Sequence, residues 1–214
     1  MTINTILFDL DGTLIDTNEL IIQSFLHTLE LDYPGQYTRE TVLPFIGPSL
    51  QETFSSINKE KAATYIETYR THNHHHHDSL VTIYPGVKEG VKRLHDEGYK
   101  LAIVTTKIKE TAMMGLKLTG LDDYFDVIIG LDDVTKEKPN PEPIYKALEQ
   151  LHAKAEEAIM VGDNSHDILA AKNAGIISVG VGWALKGEAF LKSFEPDYII
   201  QSMDHLLAIV EKDE

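Results

Sequence analysis

A chain of 214 residues, 43% of them apolar, is long enough for one core domain carrying a smaller insertion. Its 34 acidic and 19 basic side chains leave a formal charge of −15, which argues against nucleic acid or an anionic membrane as partner, because both are held through Lys and Arg. Without cysteine there are no disulfides and no thiolate chemistry; with no apolar run long enough to span a bilayer and no signal-peptide pattern, the cytoplasm is the expected location.

The first predicted element is a buried strand at 5–8, followed at once by Asp9-Leu10-Asp11-Gly12-Thr13. Two carboxylates two positions apart share a side of an extended chain, and Gly12 permits an immediate turn. Such a pair needs a proton or a cation between its members, so it reads as a metal or acid/base site. Residues 15–81 hold no convincing buried strand and are too long for a plain connection, so they are expected to be an inserted helical domain. Leu20, Ser24, His27 and Leu31 lie along one helical line, and Ile21, Phe25 and Leu29 along the next. A second helix is predicted over 59–71, and Gly47-Pro48-Ser49 is a turn that could face a core site. The run His74-His75-His76-His77, near His72, is expected to be a solvated hinge or loop segment; its neutral imidazoles could still take nickel, copper or zinc.

From 82 onward the pattern alternates. Strands are predicted at 101–105, 127–130, 158–162 and 176–181, and helices at 86–97, 108–118, 141–151 and 167–174. Pro85 and Pro141 sit where first-turn prolines belong, and Gly98, Gly120 and Gly175 follow helix ends. Repeated strand and helix imply a parallel α/β sheet covered on both faces, built from 1–14 and 82–214. Ligands of such sheets bind at the carboxyl ends of the strands. Asp9 and Asp11, then Thr105, Thr106 and Lys107, then Lys138, then Asp163 and Asp167 would all meet at that edge.

Those four groups resemble the four motifs of the haloacid dehalogenase superfamily: Asp9-Leu10-Asp11-Gly12-Thr13, Thr105, Lys138-Pro139, and Gly162-Asp163-Asn164-Ser165-His166-Asp167. The resemblance implies a Rossmann-like core with a C1-type helical cap, magnesium as cofactor and phosphatase chemistry. It implies Asp9 as nucleophile, forming an aspartyl-phosphate, and Asp11 as acid and then base. Asp9, the Asp11 backbone carbonyl and Asp163 would hold the metal, with Asp167 orienting ligands or ligating directly. Thr105 and Lys138 would stabilise the phosphoryl group. Gly12, Thr13, Thr106, Lys107 and Gly47 complete the set expected to contact substrate, Lys107 and the Gly47 loop being assigned to a second phosphate. His166 is expected to open a helix rather than act as a base.

Spans outside these motifs narrow the likeness. Residues 6–20, 33–40, 45–49, 104–107 and 116–126 look like the PpaX group of bacterial inorganic pyrophosphatases. That resemblance implies pyrophosphate as the small-molecule substrate. The competing readings are a phosphoglycolate or broad small-ester phosphatase of the same superfamily, and, from other classes, a non-catalytic binding protein or a histidine-tract metal carrier.

Overall fold

The computed structural model describes residues 3–211. It divides into two compact units, one of Met1–Asp16 with Ile83–Glu214 and the other of Thr17–Thr82.

The first unit is built on a six-stranded, wholly parallel sheet. Its strands are β1 (Thr5–Phe8), β4 (Lys100–Val104), β5 (Val127–Ile129), β6 (Ala158–Gly162), β7 (Ile177–Val181) and β8 (Tyr198–Ile200), in the order β5-β4-β1-β6-β7-β8. Every residue of β1 is buried, as expected for a central strand with both faces covered. On one face Leu7, Ala102, Val104 and Met160 pack against Ile144, Ala147 and Leu148 of α7 (Glu142–Gln150) and Ala170, Ala171 and Ala174 of α8 (Ser165–Ala174). Each large side chain so buried contributes about 1.5–3 kcal/mol. On β1's other face Phe8 meets Phe125 edge-on, ring centroids 6.1 Å apart. The chain builds outward from β1 to β4 and β5, then restarts at β6 on the opposite side. Strand order therefore reverses between β1 and β6, the crevice where such sheets bind ligands. A two-stranded ribbon, β2 (Ile15–Asp16) with β3 (Thr82–Ile83), marks where the chain leaves and re-enters this unit.

The second unit is helical: α1 (Asn18–Glu30), α2 (Arg39–Val42), α3 (Leu50–Ile57) and α4 (Ala62–Leu80). Its centre is aromatic, with Phe25 at 5.5 Å from Phe45, 5.4 Å from Phe54 and 4.9 Å from Tyr69. Thr38 and Ser49 cap α2 and α3 by accepting from the backbone N–H of Thr41 and Glu52. Gly47 lies in the turn leading to Ser49, with φ 114°.

Two expectations need correction here. The buried side of α1 runs through Leu20, Ser24, Thr28, Phe25 and Leu29, while His27 and Leu31 are exposed. Ser24 and Thr28 are accommodated because their hydroxyls donate to the carbonyls one turn back, Leu20 O at 2.7 Å and Ser24 O at 2.8 Å. The histidine run is also no loop: α4 continues through it to Leu80. Its buried line is Tyr65, Tyr69, Asn73 and His77, spaced by four, so polar residues occupy core positions and hide the helical period from a hydropathy reading. No helix among the described residues is long and apolar enough to cross a membrane.

Candidate active site

β1 delivers Asp9 to the switch point, where its N–H donates to Val161 O on β6 at 2.9 Å. The chain then folds back tightly: Leu14 N and Ile15 N both donate to Leu10 O, at 3.0 and 3.1 Å, and Gly12 N to Ile15 O at 2.8 Å. Gly12 has φ 76°, and a Cβ there would lie 2.3 Å from Asp163 Oδ2. The turn thus needs glycine twice over, for its backbone and for the approach of Asp163.

Asp163 leaves the end of β6, and Asp167 stands in the first turn of α8, where its Oδ2 accepts from Asn164 N at 3.0 Å to complete a capping box. Gly162 allows this fold-back, since a Cβ on it would come within 2.3 Å of the Asp167 side chain. Asp9, Asp163 and Asp167 are all buried, and one oxygen of each lies within 4.8 Å of the others. Between them stands buried Lys138, whose Nζ donates to Asp167 Oδ1 at 2.6 Å and Val104 O at 2.8 Å and lies 3.1 Å from Asp9 Oδ1. Burial opposes the ammonium charge, but Asp167 and Asp9 overcome it and raise the Lys138 pKa.

One buried ammonium does not balance three carboxylates. Burial, partly offset by Lys138 and reinforced by Asp167 and Asp11, raises Asp9 to about 7. Burial, then Asp167 and Asp9, raise Asp163 well above the usual carboxylate range. Asp9 Oδ1 and Thr13 Oγ1 are buried; the first has the Lys138 ammonium 3.1 Å away, and among the described residues the second accepts or donates no hydrogen bond. A surplus of buried carboxylate oxygen with unspent lone pairs suits a hard divalent cation. Asp167 already has both oxygens engaged, one by Lys138 and one by the Asn164 N–H, so its geometry is that of an orienting group.

From β4, Thr105 N donates to Ile129 O at 3.0 Å, and its hydroxyl accepts from Lys107 N at 3.2 Å. With that lone pair committed, the hydroxyl proton is what Thr105 can offer to a phosphoryl oxygen. Thr106 is half-buried beside it. Lys107 is more specifically placed than the sequence implied, its Nζ lying 2.7 Å from Asp11 Oδ1 with both side chains largely covered. Gly47 belongs to the helical unit. His166 is the second residue of α8, in keeping with a helix-opening role.

Sequence reasoning missed Lys186. Half-buried on the segment after β7, it has its pKa lowered by burial, against the opposing pull of Asp163 and Asp167. The strand-end rule that found Asp9, Thr105 and Asp163 applies equally to β7 and would have flagged it.

The chain is similar to known proteins over nearly its whole length. The model of the haloacid dehalogenase-like hydrolases matches residues 6–181. A protein of Halalkalibacterium halodurans named pyrophosphatase PpaX is 60% identical over 98% of both chains, and one of the same name from Anoxybacillus flavithermus is 59% identical over the same shares. Among solved structures, a haloacid dehalogenase-like family hydrolase from Streptococcus pneumoniae is 29% identical, with a TM-score of 0.85, over 97% of this chain and 98% of that one. The likeness runs through all four groups of residues at the sheet edge and well beyond them, and the chain belongs to the haloacid dehalogenase-like hydrolase family.

Proposed function

We propose that this chain is a magnesium-dependent inorganic pyrophosphatase that splits pyrophosphate into two phosphates through a phosphorylated Asp9, with the helical unit serving as its C1-type cap. The chief support for this substrate is that the 60% identity to a protein named pyrophosphatase extends over 98% of both chains, helical unit included. Site chemistry points the same way. Pyrophosphate offers no organic handle, so it must be recognised through charge, and Lys107, Lys138 and Lys186 provide cationic groups around the carboxylates.

In this reading the metal is held by Asp9, the Asp11 carbonyl and Asp163, with Asp167 fixing Lys138. A magnesium ion there supplies positive charge against the phosphoryl oxygens and keeps the carboxylates ionised. Asp9 attacks the near phosphorus; a bond forms from its carboxylate oxygen while the bridging P–O bond breaks, and the far phosphate leaves with that electron pair. Lys138 and the Thr105 hydroxyl meet the charge on the transferred group, and Gly12, Thr13 and Thr106 line its position. Asp11 delivers a proton to the departing oxygen, then takes one from the water that attacks the aspartyl-phosphate, which frees Asp9 and the second phosphate. Phosphate departs as a stabilised anion, so this leaving group needs protonation less than an alkoxide would.

The test is a substrate panel with magnesium. The expected order of kcat/KM places pyrophosphate above phosphoglycolate and nitrophenyl phosphate; the reverse order would assign the chain to small phosphate esters. Phosphate release from none of them would favour a binding protein.

A further inference from the structure

The histidines that the catalytic reading leaves unused form a second cluster, wholly within the helical unit. His72 and His76 stand one turn apart on the same side of α4, and His27 faces them from α1. Ring centroids are 4.5 Å apart for His27 and His72, 4.4 Å for His72 and His76, and 4.7 Å for His75 and His76. Together with Glu67 these four line a surface groove of about 460 Å³.

The tautomer of His72 follows from the bonds around Ser24. The Ser24 hydroxyl has one proton, given to Leu20 O at 2.7 Å, and two lone pairs. One accepts from Asn73 Nδ2 at 3.4 Å, and the other faces His72 Nδ1 at 3.1 Å. With the Ser24 proton on Leu20 O, His72 carries its own proton on Nδ1 and keeps the Nε2 lone pair for a ligand; with the Ser24 proton turned to Nδ1, the tautomer is the reverse. A second-layer hydroxyl fixing the ring in this way is the arrangement that orients metal-binding imidazoles.

We propose that His27, His72 and His76 form a transition-metal site on the helical unit, with zinc as the occupant and His75 and Glu67 at its rim. Imidazole nitrogen selects borderline ions such as zinc, copper and nickel over magnesium, so this site and the carboxylate cluster draw on different metals. The rings lie against one another rather than around a point. Exposed His27 and half-buried His76 converge on a cation by rotating about their side-chain torsions, a fast motion for rings at a surface. An ion bridging residue 27 to residues 72 and 76 would staple α1 to α4.

Zinc binding to the full chain is measured by calorimetry and by the histidine NMR signals, in excess magnesium. Wild type is expected to bind one zinc more than the His27→Gln/His72→Gln/His76→Gln variant, with the signals of those three rings moving together. His76→Gln alone, which leaves the Ser24 contact untouched, is expected to weaken that zinc roughly tenfold or more. His74→Gln, outside the cluster, is expected to leave it unchanged. Magnesium-dependent phosphate release and circular dichroism report that each variant is folded. Equal zinc stoichiometry in wild type and the triple variant would overturn the site. So would a loss with His74→Gln matching that with His76→Gln, since the tract would then chelate without geometry.

Discussion

Lys138 is the residue on which the buried charges balance. It touches Asp9, Asp167 and Val104 O at once, and removing it would leave carboxylates unpaired in the interior, a loss on the order of 3–5 kcal/mol. The roles proposed for the two acids of the first motif separate kinetically. With Asp9→Asn no aspartyl ester can form, and pre-steady-state phosphate release from pyrophosphate is expected to show neither burst nor turnover. With Asp11→Asn the first step loses little, because phosphate leaves readily, whereas the water attacking the intermediate loses its base. Quenched-flow measurement is then expected to show a burst approaching one phosphate per enzyme, followed by turnover slowed about 10²–10⁴-fold. A full steady rate from Asp9→Asn would end the covalent scheme, and a slow Asp11→Asn enzyme with no burst would move its role to the first step. These acids, with Thr105 and Asp163, were legible because each lies just beyond an apolar run where a strand must end, and Lys138 because it sits in the polar loop that follows the 127–129 strand. The Lys107–Asp11 pair was not, since its partners lie 96 positions apart and only the neighbouring placement of β1 and β4 brings them together.

Among the elements, the segment that carries Lys138 is pinned by a side chain outside the site. Glu142, first residue of α7, accepts from Thr135 N at 2.9 Å, Thr135 Oγ1 at 2.8 Å and Lys136 N at 2.9 Å. Those bonds, the Thr135 N–H foremost, lower its pKa to about 2. The pKa is depressed on folding, so the carboxylate's contribution to stability is fully present above about 4.5 and is lost as pH falls toward about 2. Glu142→Ala is expected to lower kcat by up to about 10²-fold through misplacement of Lys138, with KM changing much less. In an acid titration followed by circular dichroism, it should also lack the part of the stability loss that wild type shows between pH 4.5 and 2. A variant matching wild type in both would show that the loop is held by other contacts. Regular elements were readable where apolar side chains carry the period: β6 spans the expected 158–162, and β1 the expected 5–8. Reading failed where they do not. β8 has three residues, of which Tyr198 is exposed at the sheet's edge, and α4 places asparagine and histidine in its core line.

At the scale of the whole molecule, the chain carries a formal charge of −15, to which the candidate site contributes three buried carboxylates. A fold can afford that arrangement at neutral pH only if protons or a cation share the site. Without metal, Asp9 at about 7 and Asp163, raised well above its ordinary value, hold protons that the unfolded chain would release. Their folded pKa values exceed the unfolded ones, so stability declines as pH rises from about 4 through 7. A divalent cation reverses the sign, because it binds the ionised form and must displace those protons, which makes its affinity grow with pH. The ligands come from β1 and β6, more than 150 residues apart in sequence, so the unfolded chain offers no comparable site. Magnesium at 100 times its Kd should therefore add about 2.7 kcal/mol and raise Tm of the sheet-bearing unit by roughly 5–10 °C. Thermal melts with and without magnesium at pH 5.5 and pH 8 measure this directly. The expected shift is large at pH 8, small at pH 5.5 and strongly reduced by Asp163→Asn. A shift independent of pH, or one that survives Asp163→Asn intact, would place the stabilising ion somewhere other than among these carboxylates.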